Sequence, residues 1–207
     1  MAHSNEFQKL ISDPAAFAEI MKFNESSPVY EEWEQKRRFI ADTINGDGSI
    51  LDIGCAGGLL LRSLQEWTSY KLDPYGVDIV EDYITAAKKL YPDLVNHFAV
   101  LDARKLDNIF QVGLPTSYDY VYWNFLQAEF ANDPNLYKII ENILNLATKR
   151  VIFGFYARNN PEATQAEYLA EREKVQGWLD KFKNNWPVSG SKFNPTKFNQ
   201  AIAWIDK

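Results

Sequence analysis

Nine residues concentrate the chemistry of this chain. Ile50-Leu51-Asp52-Ile53-Gly54-Cys55-Ala56-Gly57-Gly58 sets a carboxylate at the end of an apolar run and follows it with three glycines. The run reads as a short buried strand, and Leu59 onward reads as a helix. Glycines let the backbone approach a ligand closely, and a helix N-terminus offers unpaired N–H groups. Strand, tight turn and helix together suit a charged, nucleotide-like ligand. Two further acids close later strand-like runs, Asp78 and Asp102. A carboxylate at the second strand end can accept both hydroxyls of a ribose through charge-assisted hydrogen bonds. Asp102 can accept from an adenine amino group, with Ala103 and Leu106 beside the base. The plainer reading of both acids is a helix cap or a loop residue.

The elements that must position these groups alternate. Strands are expected at 50–53, 75–80, 97–101, 118–125 and 150–156, with a weaker one near 188–193 and a clearer one at 201–205. Helices are expected at 59–67, 81–91, from an Asp133-Pro134 cap to about 148, and from an Asn160-Pro161 cap to about 184, with Gly177 a weak point. Ahead of the first strand, Ser12-Asp13-Pro14 starts one helix, and Ser27-Pro28 starts a longer one to about Ile44. The pattern predicts an α/β fold: a doubly wound, mostly parallel sheet with helices on both faces and an N-terminal helical extension. Residues 1–45 form the extension, expected as a lid, and 46–207 the cofactor-binding domain. In such sheets ligands lie beyond the C-terminal strand edges, near the switch in strand order.

The glycine spacing separates two ligands. The dinucleotide fingerprint wants glycines at positions 1, 3 and 6 of the turn, which here are Gly54, Ala56 and Leu59. The stretch instead resembles motif I of the class I S-adenosylmethionine-dependent methyltransferases, an acid-x-Gly-x-Gly-x-Gly pattern with Ala56 in the middle position. Tyr75-Gly76-Val77-Asp78-Ile79 is similar to that family's second strand and its ribose acid. Leu101-Asp102-Ala103 resembles the adenine-side acid, and Tyr118–Asn124 the fourth strand. The resemblance implies a seven-stranded sheet with a final antiparallel strand. It also implies S-adenosylmethionine as cofactor, with Asp52 and Gly54 at its methionine end, Asp78 at the ribose and Asp102 at the adenine. Cys55, Ala56, Gly58, Ile79, Ala103 and Asn124 complete the implied cofactor set. Cys55 is expected to pack as a small side chain, since nothing basic adjoins it.

Acceptor residues are read from strand ends and the extension. Trp123, Asn124, Gln127 and Glu129 follow the fourth strand, and Tyr156 and Arg158 the fifth. Arg158 can hold a carboxylate, and Glu129 can act as a base. Tyr30, Trp33 and Arg37 share one side of a helix at i, i+3 and i+7. They read as an aromatic wall with a positive end, suited to a small, acidic acceptor. The alternative puts Trp33 in the core and leaves Lys36, Arg37 and Arg38 solvated. No catalytic residue is singled out. The sulfonium methyl is already activated, so alignment supplies most of the acceleration and a base is needed only where the acceptor must lose a proton.

Composition narrows the function classes. Of 207 residues 46% are hydrophobic, enough for a core, and the net charge is −6, which disfavours a nucleic-acid partner. One cysteine builds neither a disulfide framework nor a thiolate zinc site, and no metal is expected. No run has transmembrane length and no signal pattern opens the chain, so a cytoplasmic protein without a membrane partner is expected. The expectation is a methyltransferase acting on a small molecule. Its rivals are an inert cofactor-binding scaffold subunit and, further off, a nicotinamide-dependent oxidoreductase.

Overall fold

Seven strands form one sheet in the order β3-β2-β1-β4-β5-β7-β6. They are β1 (Gly48–Ile53), β2 (Leu72–Asp78), β3 (Phe98–Val100), β4 (Tyr118–Phe125), β5 (Ala147–Tyr156), β6 (Gly190–Phe193) and β7 (Gln200–Asp206). The computed structural model describes residues 28–125, 134–157 and 163–207. The sheet is mixed. β1 to β5 pair in parallel, whereas β7 runs antiparallel to both β5 and β6. The strand order reverses between β1 and β4, so the C-terminal ends of those two strands flank the switch point.

Both faces are covered. Five α-helices lie within the described residues: α1 (Pro28–Arg37), α2 (Leu59–Trp67), α3 (Glu81–Leu90), α4 (Leu136–Leu146) and α5 (Gln165–Asn185). Leu61, Leu64, Ile84 and Ala87 of α2 and α3 pack with Ile50, Tyr120, Tyr122 and Ile152 on one face. Ile140 and Ile143 of α4 and Val175, Leu179 and Phe182 of α5 pack with Leu51, Val121, Phe153 and Phe155 on the other. Alternation along each strand explains the division: neighbouring residues point to opposite faces, and each face is buried. No described helix is long and apolar enough to cross a membrane.

Several boundaries differ from the sequence expectation. The helix expected from 28 to 44 is α-helical only to Arg37, then tightens into a 3-10 segment, Arg38–Thr43. Phe39, Ile40 and Ala41 are consecutive and all buried, which one face of an α-helix cannot supply. β2 begins at Leu72 and includes Pro74, and ends at Asp78 rather than Val80. 3-10 segments at Pro92–His97 and Ala103–Val112 occupy stretches read as loops, and the former shortens β3. Thr164, not Asn160, starts α5: its hydroxyl receives the Glu167 N–H and the Glu167 side chain receives the Thr164 N–H. Asn160, Pro161 and Asp133 lie outside the described residues, as does the helix expected from Ser12.

The extension is tied to the sheet at its C-terminal end. Asn194 Nδ2 donates to Gln35 O (2.9 Å) and to Gln200 Oε1 (3.0 Å). Arg150 Nη1 donates to Thr43 O at 2.6 Å, and the Tyr120 hydroxyl to Asn45 Oδ1 at 2.9 Å.

Two glycines should respond in opposite senses to alanine. A Cβ on Gly76 would stand 2.6 Å from Cys55 Sγ and 2.9 Å from Phe98 Cδ1, whereas one on Gly177, exposed within α5, meets nothing within 4 Å. Urea unfolding should show Gly76→Ala destabilised by about 1–3 kcal/mol through overpacking. Gly177→Ala should gain about 0.5–1 kcal/mol by removing backbone freedom from a helix interior.

Candidate functional site

β1 delivers Asp52 to its C-terminal end on the same face as Ile50, and the chain then turns sharply. Gly54 (φ +79°), Ala56 (φ +46°) and Gly58 (φ +81°) all adopt left-handed conformations. Ala56 alone carries a Cβ into that region, which disfavours L-residues by about 1–2 kcal/mol. The turn is held from below. Gly54 N–H and Cys55 N–H both donate to Val77 O, at 2.8 and 3.0 Å. Cys55 packs against Gly76, 4% exposed, and burial pushes its thiol well above the ordinary range. It is a packing residue, as the sequence suggested.

Asp78 clamps the turn from the side. Its Oδ2 accepts the Ala56 N–H and its Oδ1 the Val80 N–H, each at 2.9 Å. The carboxylate thereby joins the β1–α2 turn to the β2–α3 turn. Ile79, next in sequence, is 62% exposed beside it. Asp102 caps the 3-10 segment Ala103–Val112 by accepting the Arg104 N–H at 2.9 Å, and Arg104 Nη1 lies 3.5 Å from the same oxygen.

Asp52 differs from both. It is buried and accepts no hydrogen bond among the described residues. Burial, then the nearby Asp78 charge, push its carboxyl up to about 8, with Arg37 pulling the other way. A Cβ placed on Gly54 meets no atom within 4 Å, so space opens beside this carboxylate.

A second group of residues lies across the switch point. A small cavity is lined by Lys36, Arg37, Tyr122, Asn124, Tyr156 and Gln200, with Gly154 as its floor. Its volume of about 20 Å³ is that of a single water. A Cβ on Gly154 would stand 2.7 Å from Tyr122 Oη and 2.8 Å from Asn124 Oδ1, so glycine creates this space. Burial, and next the Asp52 charge, raise the Tyr122 hydroxyl pKa. Arg37 is packed over the Trp33 ring at 5.2 Å, and burial lowers its pKa against the opposing influence of Tyr122, Tyr156 and Asp52. The plainer reading had the basic run solvated; Arg37 is half-buried over Trp33, whereas Arg38 is exposed. Trp33 packs on Trp67, ring centroids 5.5 Å apart.

Trp123 requires correction. It is 3% exposed and packs edge-on to Phe153 at 6.4 Å, in the core on the face opposite Asp52. Asp52 pairs in register with Tyr122, and Tyr122 takes the place expected of Trp123. Strand parity carries that signal: Tyr122 and Asn124 share a face, and Trp123 between them cannot. Gln200 was missed because it starts the antiparallel strand, opposite Tyr156. The Tyr30 side chain, Gln127, Glu129 and Arg158 lie outside the described residues.

Residues 50–149, from β1 into β5, match the methyltransferase domain family. That match covers 100 of the 207 residues and makes this stretch similar to a methyltransferase domain. Peramine synthetase ppzA of Metarhizium rileyi is 28% identical over 149 residues, 67% of this chain. The match spans 5% of that relative's length. The fold resembles magnesium protoporphyrin IX methyltransferase from Synechocystis PCC 6803 with bound SAM (TM-score 0.51, 17% identity, covering 100% of this chain and 86% of that one). It also resembles the 16S rRNA methylase ArmA (TM-score 0.59, 19% identity, covering 99% of each). At these identities the likeness is one of fold. In this chain the glycine turn and Asp78 lie on the β1–β2 side of the switch point, and the Arg37 cavity lies on the β4–β5 side.

The Asp52 carboxyl gives a pH signature in stability. Its folded pKa, about 8, lies above the ordinary 3.8. Its contribution is therefore fully present below pH about 4 and is lost as pH rises through 8. Asp52→Asn holds no titrating proton there. The melting temperature of the unmodified protein should fall relative to that of Asp52→Asn between pH 6 and pH 9. A pH-independent difference in thermal denaturation would show that Asp52 ionises normally.

Proposed function

We propose that this chain is a methyltransferase that transfers the methyl group of S-adenosylmethionine directly to a small-molecule acceptor. The observation that carries the acceptor class is the cavity beyond β4 and β5. It lies between the end of α1 and the sheet, is narrow, and combines polar side chains with apolar ones from Phe39, Ile40 and Ile202 at the scale of one functional group. The net charge of −6 also opposes the counterion-release term that dominates nucleic-acid affinity.

The chain's residues fit the cofactor. Asp52, buried and without a hydrogen-bond donor, suits a cationic amino group, whose charge would draw its carboxyl into the ionised form. The left-handed backbone at Gly54 leaves room for close approach. Asp78 keeps lone pairs beyond its two backbone contacts for ribose hydroxyls. The exposed Ile79 and Val80 offer an apolar platform for a flat base, with Asp102 and Ala103 on its far side. When bound, S-adenosylmethionine supplies a methyl on positively charged sulfur, with a neutral thioether as the leaving group. Tyr122, Asn124, Tyr156 and Gln200 would then orient the acceptor and limit water at the strand ends. The inner end of α1, held by Asn194, acts as a lid over that space.

Two measurements test this reading. Titration calorimetry with S-adenosylhomocysteine should show Asp78→Ala weakened at least tenfold, about 1.4 kcal/mol, by loss of charge-assisted bonds. Unchanged affinity would remove Asp78 from the cofactor site. Incubation with methyl-labelled cofactor and fractions of small metabolites, RNA and protein should place the label in the small-molecule fraction. Label confined to RNA or protein would overturn the acceptor class.

A further inference from the structure

The end of α1 and the first residue of the 3-10 segment present three consecutive cations, and among the described residues two of them have acid partners. Lys36 pairs with Glu32 and Arg38 with Glu34, each four residues earlier. Arg37 has Trp33 at that position, and lies over its ring. Among the described residues no carboxylate comes within 4 Å of the Arg37 guanidinium, and it donates no hydrogen bond. It nevertheless lines the cavity between Tyr122, Asn124, Tyr156 and Gln200. The Tyr122 hydroxyl and the Asn124 amide likewise have no hydrogen-bond partner among the described residues. Arg37 is half-buried, and its guanidinium offers five donors in a planar fork toward that cavity.

We propose that Arg37 is the anchor for a carboxylate group on the methyl acceptor, which makes that acceptor a small carboxylic acid. The inference rests on the functional reading above, since it places the acceptor in the β4–β5 cavity. The fork matches a carboxylate bidentately. One cation in a water-sized space, with the Asp52 charge within electrostatic reach, suits a single negative charge better than a doubly charged phosphate. Lone pairs engaged by the guanidinium are withdrawn from nucleophilic attack, so the carboxylate serves as a handle and the methyl goes to another atom of the acceptor.

Arg37 is placed toward the acceptor by the fold. Asn194 holds the carbonyls of Gln35 and Lys36, at 2.9 and 3.3 Å, and so fixes the last turn of α1 against the start of β7. The glycine turn and Asp78 lie on the other side of the switch point, on β1 and β2.

The test uses full-length protein saturated with S-adenosylhomocysteine. Acetate, benzoate and 4-hydroxybenzoate are each titrated against the corresponding amide, by thermal shift and calorimetry. At least one carboxylate should bind about tenfold or more tightly than its amide. Arg37→Gln should reduce that preference to within about twofold while leaving affinity for S-adenosylhomocysteine unchanged. Arg37→Lys, which keeps the charge without the fork, should fall between. Equal binding of acid and amide, or no binding by any carboxylate, overturns the proposal. So does a matching loss of S-adenosylhomocysteine affinity in Arg37→Gln, which would assign the guanidinium to the cofactor's own carboxylate. Failure of S-adenosylhomocysteine to bind the unmodified protein would defeat the functional reading itself, and the proposal with it.

Discussion

Two backbone N–H groups meet on one carboxylate, and the site's geometry depends on that meeting. Asp78 takes the Ala56 N–H on one oxygen and the Val80 N–H on the other. Neither α2 nor α3 has a side-chain N-cap, and Asp78 instead fixes the two turns that lead into them. Two N–H donors also hold the carboxylate in one orientation. Gly76 makes the arrangement possible from beneath. Only a residue without Cβ lets Cys55 pack down on β2, bringing the turn within reach of the Asp78 side chain. The strained φ at Ala56 is tolerated because Asp78 holds the N–H of that residue.

Asp52 and Arg37 show the opposite use of charge. Opposite charges buried near one another ordinarily close into a pair, since an uncompensated buried charge is expensive. Here they remain more than 4 Å apart among the described contacts, each shifted toward neutrality by burial. Asp52 is fixed by a strand in the middle of the sheet. Arg37 is fixed by Asn194 through the backbone of α1 and by the Trp33 ring. Rigid supports from different elements thus keep two complementary charges from satisfying one another. Such separation favours a ligand bringing its own opposite charges, because those interactions are then made at little reorganisation cost.

Much of this was legible in the sequence, and the rest was lost for identifiable reasons. The 50–67 unit was readable because apolar run, glycine turn and helix stripe sit next to one another, and α2 spans Leu59–Trp67 as expected. The acids at strand ends followed from the same alternation. Side-chain direction did not. Reading Trp123 as a site residue treated a strand end as a point, whereas a strand has two faces one residue apart, and parity with Asp52 selects Tyr122. Thr164 outranked Asn160-Pro161 because a capping box satisfies two backbone groups reciprocally, which a proline alone cannot. The 3-10 segments carry no strong period, so propensity could not reveal them. Arg37 was singled out by its helical spacing from Tyr30 and Trp33, and its i−4 neighbour is a second signal that the spacing argument did not use. In the run Glu32, Trp33, Glu34 against Lys36, Arg37, Arg38, the middle cation alone lacks an acid.

The sheet also separates what is general from what is particular. The β1–β2 side is built largely from backbone: three left-handed residues, two N–H groups on Asp78, and carbonyl contacts from Val77. Such a site depends on glycine placement and a few acids, so it tolerates wide sequence change, consistent with neighbours of the same fold at 16–19% identity. The β4–β5 side is built from side chains: Arg37, Tyr122, Asn124, Tyr156 and Gln200 around the Gly154 floor. Each can be exchanged without disturbing the ladder beneath it, as long as strand parity is kept. Proteins named as a magnesium protoporphyrin IX methyltransferase and a 16S rRNA methylase share this fold, and in the proposed reading acceptor choice resides in residues that the fold positions but does not require.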